Sequence, residues 1–207
     1  MKSLFLIILL MTCLFHFAVS QEKLPNLPYY EIPSYPESYT AGTVAARVVD
    51  GLGFRYYWAT EGLRPEDLAY KPSAEARTTE ETLVHIYNLT LVLANATKKV
   101  PTVTGGEQPK LSFAELRKGT LENIKTASDI LKRSSEKDLQ SYNMKFTGAR
   151  TSDFPFWNLL NGPIDDALWH VGQVITFRRS SGNPFNGNAN VLIGKFVEQK
   201  NAPANKE

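Results

Sequence analysis

The sequence predicts an all-α domain organised as a four-helix bundle, with an extended proline-rich arm at its N-terminal side. Three observations support this fold class. Four segments repeat apolar residues at spacings of three and four, capping residues open several of them, and no strong alternating strand pattern occurs. A chain of 207 residues can bury a sizeable core in one domain. We place the helical domain at residues 39–185 and a C-terminal tail at 186–207.

The first three predicted helices have clear starting signals. The first spans Thr40–Thr60, where apolar residues recur every four positions. The second begins at Thr78, which forms a capping-box pattern with Glu81. The third opens with the same pattern at Ser112 and Glu115. These signals predict where each helix enters the bundle.

The fourth predicted helix follows an interruption at Asn161-Gly162. Pro163 restarts the helix as a first-turn proline, and the helix continues to about Arg179. We expect the segments 64–72 and 101–109 to be connectors without regular structure, and a brief strand over 142–146.

The N-terminal residues 1–20 are typical of an export signal. Lys2 supplies the positive charge, Leu4–Leu10 forms the apolar run, and small residues predict cleavage before Gln21. The apolar run is short for a membrane span, so we predict an exported protein, periplasmic or secreted, without a transmembrane helix. Lipid attachment at Cys13 is the less favoured alternative.

The composition excludes several function classes. Cys13 is the only cysteine, so the mature chain has no disulfide and no thiolate ligand. The full chain has 23 basic and 21 acidic residues, and removal of Lys2 with the signal leaves a net charge of +1. Nucleic-acid binding therefore has no electrostatic support. Residues 21–38 are rich in proline and tyrosine, which predicts an extended segment that is either a spacer or wraps over the domain.

Two histidines and one carboxylate are the candidate metal ligands. After the signal, the chain retains only His85, on the second predicted helix, and His170, on the fourth. Asp166 lies four residues before His170, and residues at this spacing share a helix face. Two imidazoles and a carboxylate make a three-ligand site with room for water. The sequence therefore predicts a divalent-metal site at His85, Asp166 and His170.

The motifs around these residues resemble the DinB-like superfamily of bacterial metal-binding four-helix bundles, which includes the thiol-transferase-like and YfiT-like groups. The resemblance covers roughly residues 40–185. It rests on Thr-Leu-Val-His-Ile at 82–86 and on Asp-Ala-Leu-Trp-His-Val-Gly-Gln at 166–173. Further matches are Arg178-Arg179 and the Gly-Asn-Pro at 182–184.

The resemblance implies an up-down-down-up bundle with three histidines that bind a divalent metal, often zinc or nickel. His85 and His170 match two of these ligands, and Asp166 stands where the family commonly has its other histidine. A set of two histidines and one carboxylate suits zinc and also describes non-haem iron sites. The expected cofactor is therefore zinc, nickel or iron.

Two functions follow as expectations. The first is an exported metal-dependent hydrolase or transferase acting on an unknown small molecule. The second is a non-catalytic binding or stress-associated domain with a structural or vestigial metal site. Gln173 is placed to orient a ligand, and Trp169 to line either the pocket or the core. Glu81 is a candidate base, although we favour its capping role. A homodimer is compatible with such a bundle.

Overall fold

The computed structural model describes residues 27–106 and 110–198, so the predicted export signal and the lipid-attachment residue Cys13 lie outside the described residues. The described chain is mostly helical, with short strands between and after the helices. The helices are α1 (Ala41–Thr60), α2 (Pro65–Ala69), α3 (Thr79–Thr97), α4 (Phe113–Leu131), α5 (Glu136–Ser141), α6 (Trp157–Leu159) and α7 (Asp165–Ser180). The segment Leu160–Ile164 joins α6 to α7 and contains a kink at Gly162, whose backbone is not helical. The strands are β1 (Thr102–Thr104), β2 (Met144–Gly148), β3 (Ser152–Phe154), β4 (Ala189–Asn190) and β5 (Lys195–Phe196).

The capping signals read from the sequence are present in the structure. Thr78 Oγ1 accepts the backbone N–H of Glu81, and the Glu81 carboxylate accepts the N–H of Thr78. Ser112 and Glu115 form the same reciprocal pair at the start of α4. Each pair satisfies backbone donors that a helix start would otherwise leave unpaired.

The four long helices α1, α3, α4 and α7 enclose the main apolar core. Helix α1 packs on α4 and α7, and α3 packs on the same two helices. The fully buried side chains at their contacts are large and aliphatic or aromatic: Leu52, Tyr56, Leu83, Ile86, Leu121, Ile124 and Val174. Burial of each such side chain contributes about 1.5–3 kcal/mol. Among the described residues, none of the helices has the length and apolar character needed to cross a bilayer.

Polar contacts at one end of the helices fix their relative directions. Arg178, near the end of α7, donates hydrogen bonds to the carbonyl oxygens of Trp58, Ala59 and Glu61 at the end of α1, at 3.0–3.1 Å. Since both helices end at the same level, α1 and α7 run parallel. Arg117, in the second turn of α4, donates to Thr60 Oγ1 at 3.0 Å. Helix α4 therefore starts where α1 ends, and the two run antiparallel.

The start of α3 lies at the same end. The backbone N–H of Thr79 donates to the carbonyl oxygen of Tyr70 at 2.9 Å, and the Tyr70 ring lies 5.9 Å from the ring of Phe177 near the end of α7. Helix α3 therefore runs antiparallel to α7 and parallel to α4.

Several connecting segments are more regular than the sequence indicated. The segment 64–72, expected to be an unstructured connector, contains α2, and the expected loop 101–109 contains β1. Strand β1 pairs in parallel with β2, and β2 pairs antiparallel with β3. The expected strand at 142–146 corresponds to β2. Strands of two to five residues carry too few side chains to show an alternating pattern, so their pairing is set by tertiary contacts.

The proline-rich arm wraps over α1 in its described part. The Tyr29 hydroxyl donates to Asp50 Oδ1 at 3.0 Å, and the carbonyl oxygen of Tyr30 accepts from Trp58 Nε1 at 3.1 Å. The Trp58 ring also stacks on Phe196 of β5, at a centroid distance of 4.8 Å. Residues 189–196, which we assigned to the tail, therefore form a hairpin that closes a second small core with the arm.

Candidate metal centre

The three predicted ligands come together at the contact between α3 and α7. His85 lies in the second turn of α3, and Asp166 and His170 lie one turn apart on α7. These are the residues that the sequence analysis proposed as ligands. Within the described residues, they form a group of three whose ligand atoms all lie within 4.8 Å of one another.

The Asp166 carboxylate lies between the two imidazoles. Its Oδ2 is 3.2 Å from His85 Nε2, and its Oδ1 is 3.2 Å from His170 Nε2. Tetrahedral coordination with bonds near 2.0–2.1 Å places neighbouring ligand atoms about 3.3 Å apart. Each nitrogen–oxygen separation matches this spacing, but the two imidazoles contact different oxygens of the carboxylate and the ligand atoms lie up to 4.8 Å apart, so one shared ion would require small rotations of the side chains toward a common point. The donor set of two nitrogens and one oxygen is suited to zinc, nickel or iron.

Gln173 determines which nitrogen of His170 is available. Its amide oxygen, Oε1, lies 2.7 Å from His170 Nδ1. Since an amide oxygen only accepts hydrogen bonds, Nδ1 carries a proton. In the neutral imidazole, Nε2 is then unprotonated, and its lone pair points at a carboxylate oxygen of Asp166. A proton or a metal ion between these two atoms would satisfy both of them.

Partial burial keeps His85 in the form that binds metals. Its side chain is 31 % exposed, that of Asp166 is 38 % and that of His170 is 14 %. Burial lowers the pKa of His85, and this effect outweighs the opposing effect of the hydrogen bond that Asp166 Oδ2 accepts from the ring. The positive charges of His170 and Arg77 lower the pKa of His85 further. A neutral imidazole near physiological pH is the species that coordinates a metal ion.

Of the other sequence candidates, Gln173 contacts a ligand, as expected, whereas Glu81 and Trp169 do not belong to the group of ligands. Glu81 is held in the capping box of α3, whose backbone hydrogen bond from Thr78 lowers the pKa of its carboxyl group, so it does not act as a base at the site. Asp165 is exposed in the first turn of α7. Trp169 is 72 % exposed, so it lies on the outer surface beside His170 and does not belong to the core.

The sequence analysis missed one feature near the site. Arg77 is an exposed cation just before α3, and its charge acts on His85. The interruption expected at Asn161-Gly162 is present in the structure: Gly162 has a non-helical backbone (φ −97°, ψ −105°), so the chain kinks before α7. The segment Leu160–Ile164 that contains this kink packs on α3 and leads directly into the helix that carries Asp166 and His170.

Comparison of the chain with protein-family models, with curated proteins and with solved structures finds no significant match. Assignment of a function therefore depends on the geometry of the site and on the sequence motifs.

Proposed function

We propose that this chain is an exported DinB-like protein whose His85, Asp166 and His170 bind a divalent metal ion. The observation that carries the proposal is the arrangement around Asp166. One carboxylate contacts two imidazoles from different helices, and Gln173 directs the Nε2 lone pair of His170 toward it. An accidental cluster does not need this tautomer, whereas a metal ligand does.

The helix directions support the DinB-like part of the proposal. Helices α1 and α7 run one way and α3 and α4 the other, so the order along the chain is up-down-down-up. This is the connectivity that the resemblance implies for a four-helix bundle. The directions of α3 and α4 come from contacts of Thr79 and Arg117, which lie outside the residues on which the resemblance rests, whereas the direction of α7 comes from Arg178, which is one of them.

The proposed activity is hydrolysis or group transfer on a small molecule. A bound divalent ion lowers the pKa of water and polarises a carbonyl or phosphoryl group. The chain's own residues hold the ion, and Gln173 fixes the orientation of His170. Asp166 is the carboxylate nearest the reacting position, since Glu81 is occupied in its cap. The partial exposure of Asp166 and His85 leaves a route for a substrate from solvent.

A non-catalytic domain with a structural or vestigial metal site is the second candidate. One observation favours it: the Asp166 carboxylate contacts both imidazoles at hydrogen-bond distance, so the three side chains also pair with one another without an ion. A structural ion at this place would stabilise the contact between α3 and α7 and would have no open coordination position.

Metal analysis of the purified protein tests the proposal. We expect one equivalent of metal per chain, and none in the variants His170→Ala and Asp166→Ala. Absence of metal in the parent protein after reconstitution with zinc, nickel, iron and manganese would contradict the proposal. Cobalt substitution then separates the two candidates. Added azide shifts the visible spectrum when a coordination position is open and leaves it unchanged when the site is closed.

A further inference from the structure

The outer face of α1 carries an apolar ridge between two grooves. Val44 and Val48, one helical turn apart, are 51 % and 43 % exposed and line both grooves. The first groove has a volume of about 570 Å³ and lies between α1, α5 and α6, with Leu139 and Trp157 in its walls. The second has a volume of about 350 Å³ and lies between α1 and the arm. We call Val44 and Val48 with these two grooves the α1 surface.

The α1 surface exposes large aromatic side chains. Trp157 is 74 % exposed, and Tyr35 and Tyr39 are 77 % and 98 % exposed. Monomeric proteins rarely leave contiguous apolar surface of this kind in water, and such patches mark interaction sites. The α1 surface includes none of the three candidate metal ligands.

The two grooves carry opposite charges. Glu136 lines the first groove and Arg47 lines the second. In the part of the chain that the structure describes, neither side chain forms an ion pair. Arg47 lies over the ring of Tyr35, 4.7 Å from its centroid. A surface with an acidic and a basic side is complementary to a second copy of itself after a two-fold rotation.

We infer that the α1 surface is the interface of a homodimer. The valine ridge of each copy packs into the first groove of the other, as ridges of residues four apart pack into grooves when helices cross. The rotation that relates the copies brings Arg47 of each chain to the acidic side of its partner's first groove, near Glu136. The two copies bury both ridges and cover the ring of Trp157.

The α1 surface has the extent of a small interface. Sixteen residues line the two grooves, and three of them, Thr43, Ala45 and Phe156, are buried, which leaves thirteen that a partner can contact. A standard interface uses about 20–30 residues on each side, and smaller interfaces belong to weak complexes. The α1 surface therefore agrees with a reversible dimer that dissociates at micromolar concentrations.

Sedimentation equilibrium of the full protein over micromolar concentrations tests the inference. We expect a reversible dimer, whose dissociation constant rises at least about 100-fold in Val48→Asp, because the carboxylate is buried without a partner at the interface. Val100→Asp is the matched control, since Val100 is also 43 % exposed but lies outside the α1 surface. Circular dichroism melting verifies that each variant is folded.

A charge exchange tests the pairing of the two sides. Arg47→Glu and Glu136→Arg each weaken dimerisation about tenfold, because each places like charges in contact, and the double variant restores most of the lost affinity. A protein that stays monomeric throughout the concentration range overturns the inference. A dimer that Val48→Asp leaves intact, or one that Val100→Asp weakens equally, also overturns it. Since the α1 surface includes no metal ligand, removal of metal with a chelator leaves the dimer intact, which separates this inference from the proposed function.

Discussion

Replacement of Asp166 by alanine is the sharpest test of the metal centre. Asp166 contributes the only negative charge of the donor set and contacts both imidazoles at 3.2 Å. Loss of a residue that merely orients a ligand lowers metal affinity about 10- to 100-fold. Loss of a direct ligand should therefore lower it by about 100-fold or more.

This change in affinity has a measurable effect on stability. A ligand present at 100 times its dissociation constant stabilises the folded state by about 2.7 kcal/mol. If Asp166→Ala weakens metal binding 100-fold, the same metal concentration is equal to the dissociation constant of the variant. Bound metal then stabilises the folded variant by only about 0.4 kcal/mol. For a domain of this size, the parent melting temperature should rise by about 5–11 °C on addition of metal, and that of the variant by about 1–2 °C.

Asp165→Ala is the matched control for this experiment. Like Asp166→Ala, it removes one carboxylate from the first turn of α7, so both variants lose the same favourable interaction with the helix dipole. Asp165 is not among the clustered ligands, so only Asp166→Ala should change metal binding. Differential scanning calorimetry with and without zinc or nickel measures each variant. Asp166→His reinstates the three-histidine set and should retain the metal-dependent shift. An equal shift in the parent and in Asp166→Ala would refute our assignment of Asp166 as a ligand.

Three further predictions test the positions of single side chains. Gln173→Leu should weaken metal binding about 10- to 100-fold in calorimetric titration, because His170 loses the acceptor that fixes its tautomer; unchanged affinity would exclude this role. Gly53→Ala should lower the free energy of unfolding by about 1–3 kcal/mol, since a Cβ at this position would lie 2.6 Å from the Tyr29 ring. Gly51→Ala, two residues earlier in the same helix, should raise the free energy of unfolding by about 0.5–1 kcal/mol, since alanine is the better helix former. Denaturant titration measures both variants, and equal effects would contradict the close packing at Gly53. Asp67→Ala should lower the free energy of unfolding by about 1–3 kcal/mol at neutral pH, because the buried carboxylate accepts hydrogen bonds from Arg64, Ser181 and Asn183, whereas the Arg64 side chain is 42 % exposed and stays solvated in the variant. Hydrogen bonds from Arg64 hold the pKa of the Asp67 carboxyl well below its usual range, so its stabilisation is present above about pH 4 and is lost as the pH falls further; a difference between parent and variant that stays constant down to about pH 2 would contradict this.

The helix starts could be predicted because their signals are local. Thr78 with Glu81 and Ser112 with Glu115 satisfy backbone donors three residues away, so the sequence contains both partners of each interaction. The hairpin of residues 189–196 could not be predicted in this way. Its stabilising contact, the stacking of Phe196 on Trp58, joins residues more than a hundred positions apart.

The close approach of the arm to α1 shows the same limit. On the sequence alone, Gly53 is a residue of low helix propensity that lowers the stability of the first helix. In the structure, its missing side chain is what admits the ring of Tyr29 and allows the hydroxyl to reach the buried Asp50. A glycine that serves a distant partner carries no sign of that partner in its own segment.

The candidate site could be predicted in part, because some of its contacts are local and others join distant segments. The spacing of Asp166 and His170 is local, and one helical turn places both side chains on the same face. The contribution of His85 depends on how α3 and α7 pack, which helix periodicity alone does not determine, so the motif resemblance was needed to select it. A role of Gln173 in orienting a ligand was expected from its spacing of three residues from His170. Which ring nitrogen it contacts was not predicted, and the structure places its Oε1 2.7 Å from Nδ1.

The carboxylate at position 166 also determines what chemistry the site can support. Two neutral imidazoles and one carboxylate leave a divalent ion with a net charge of +1, whereas three imidazoles leave +2. A lower net charge withdraws less electron density from bound water, so the pKa of that water is higher than at a three-histidine site. Metal binding also requires the neutral imidazole of His85, whose pKa is lowered by burial. Metal affinity should therefore be kept at neutral pH and fall only as the pH decreases into the range in which His85 takes up a proton.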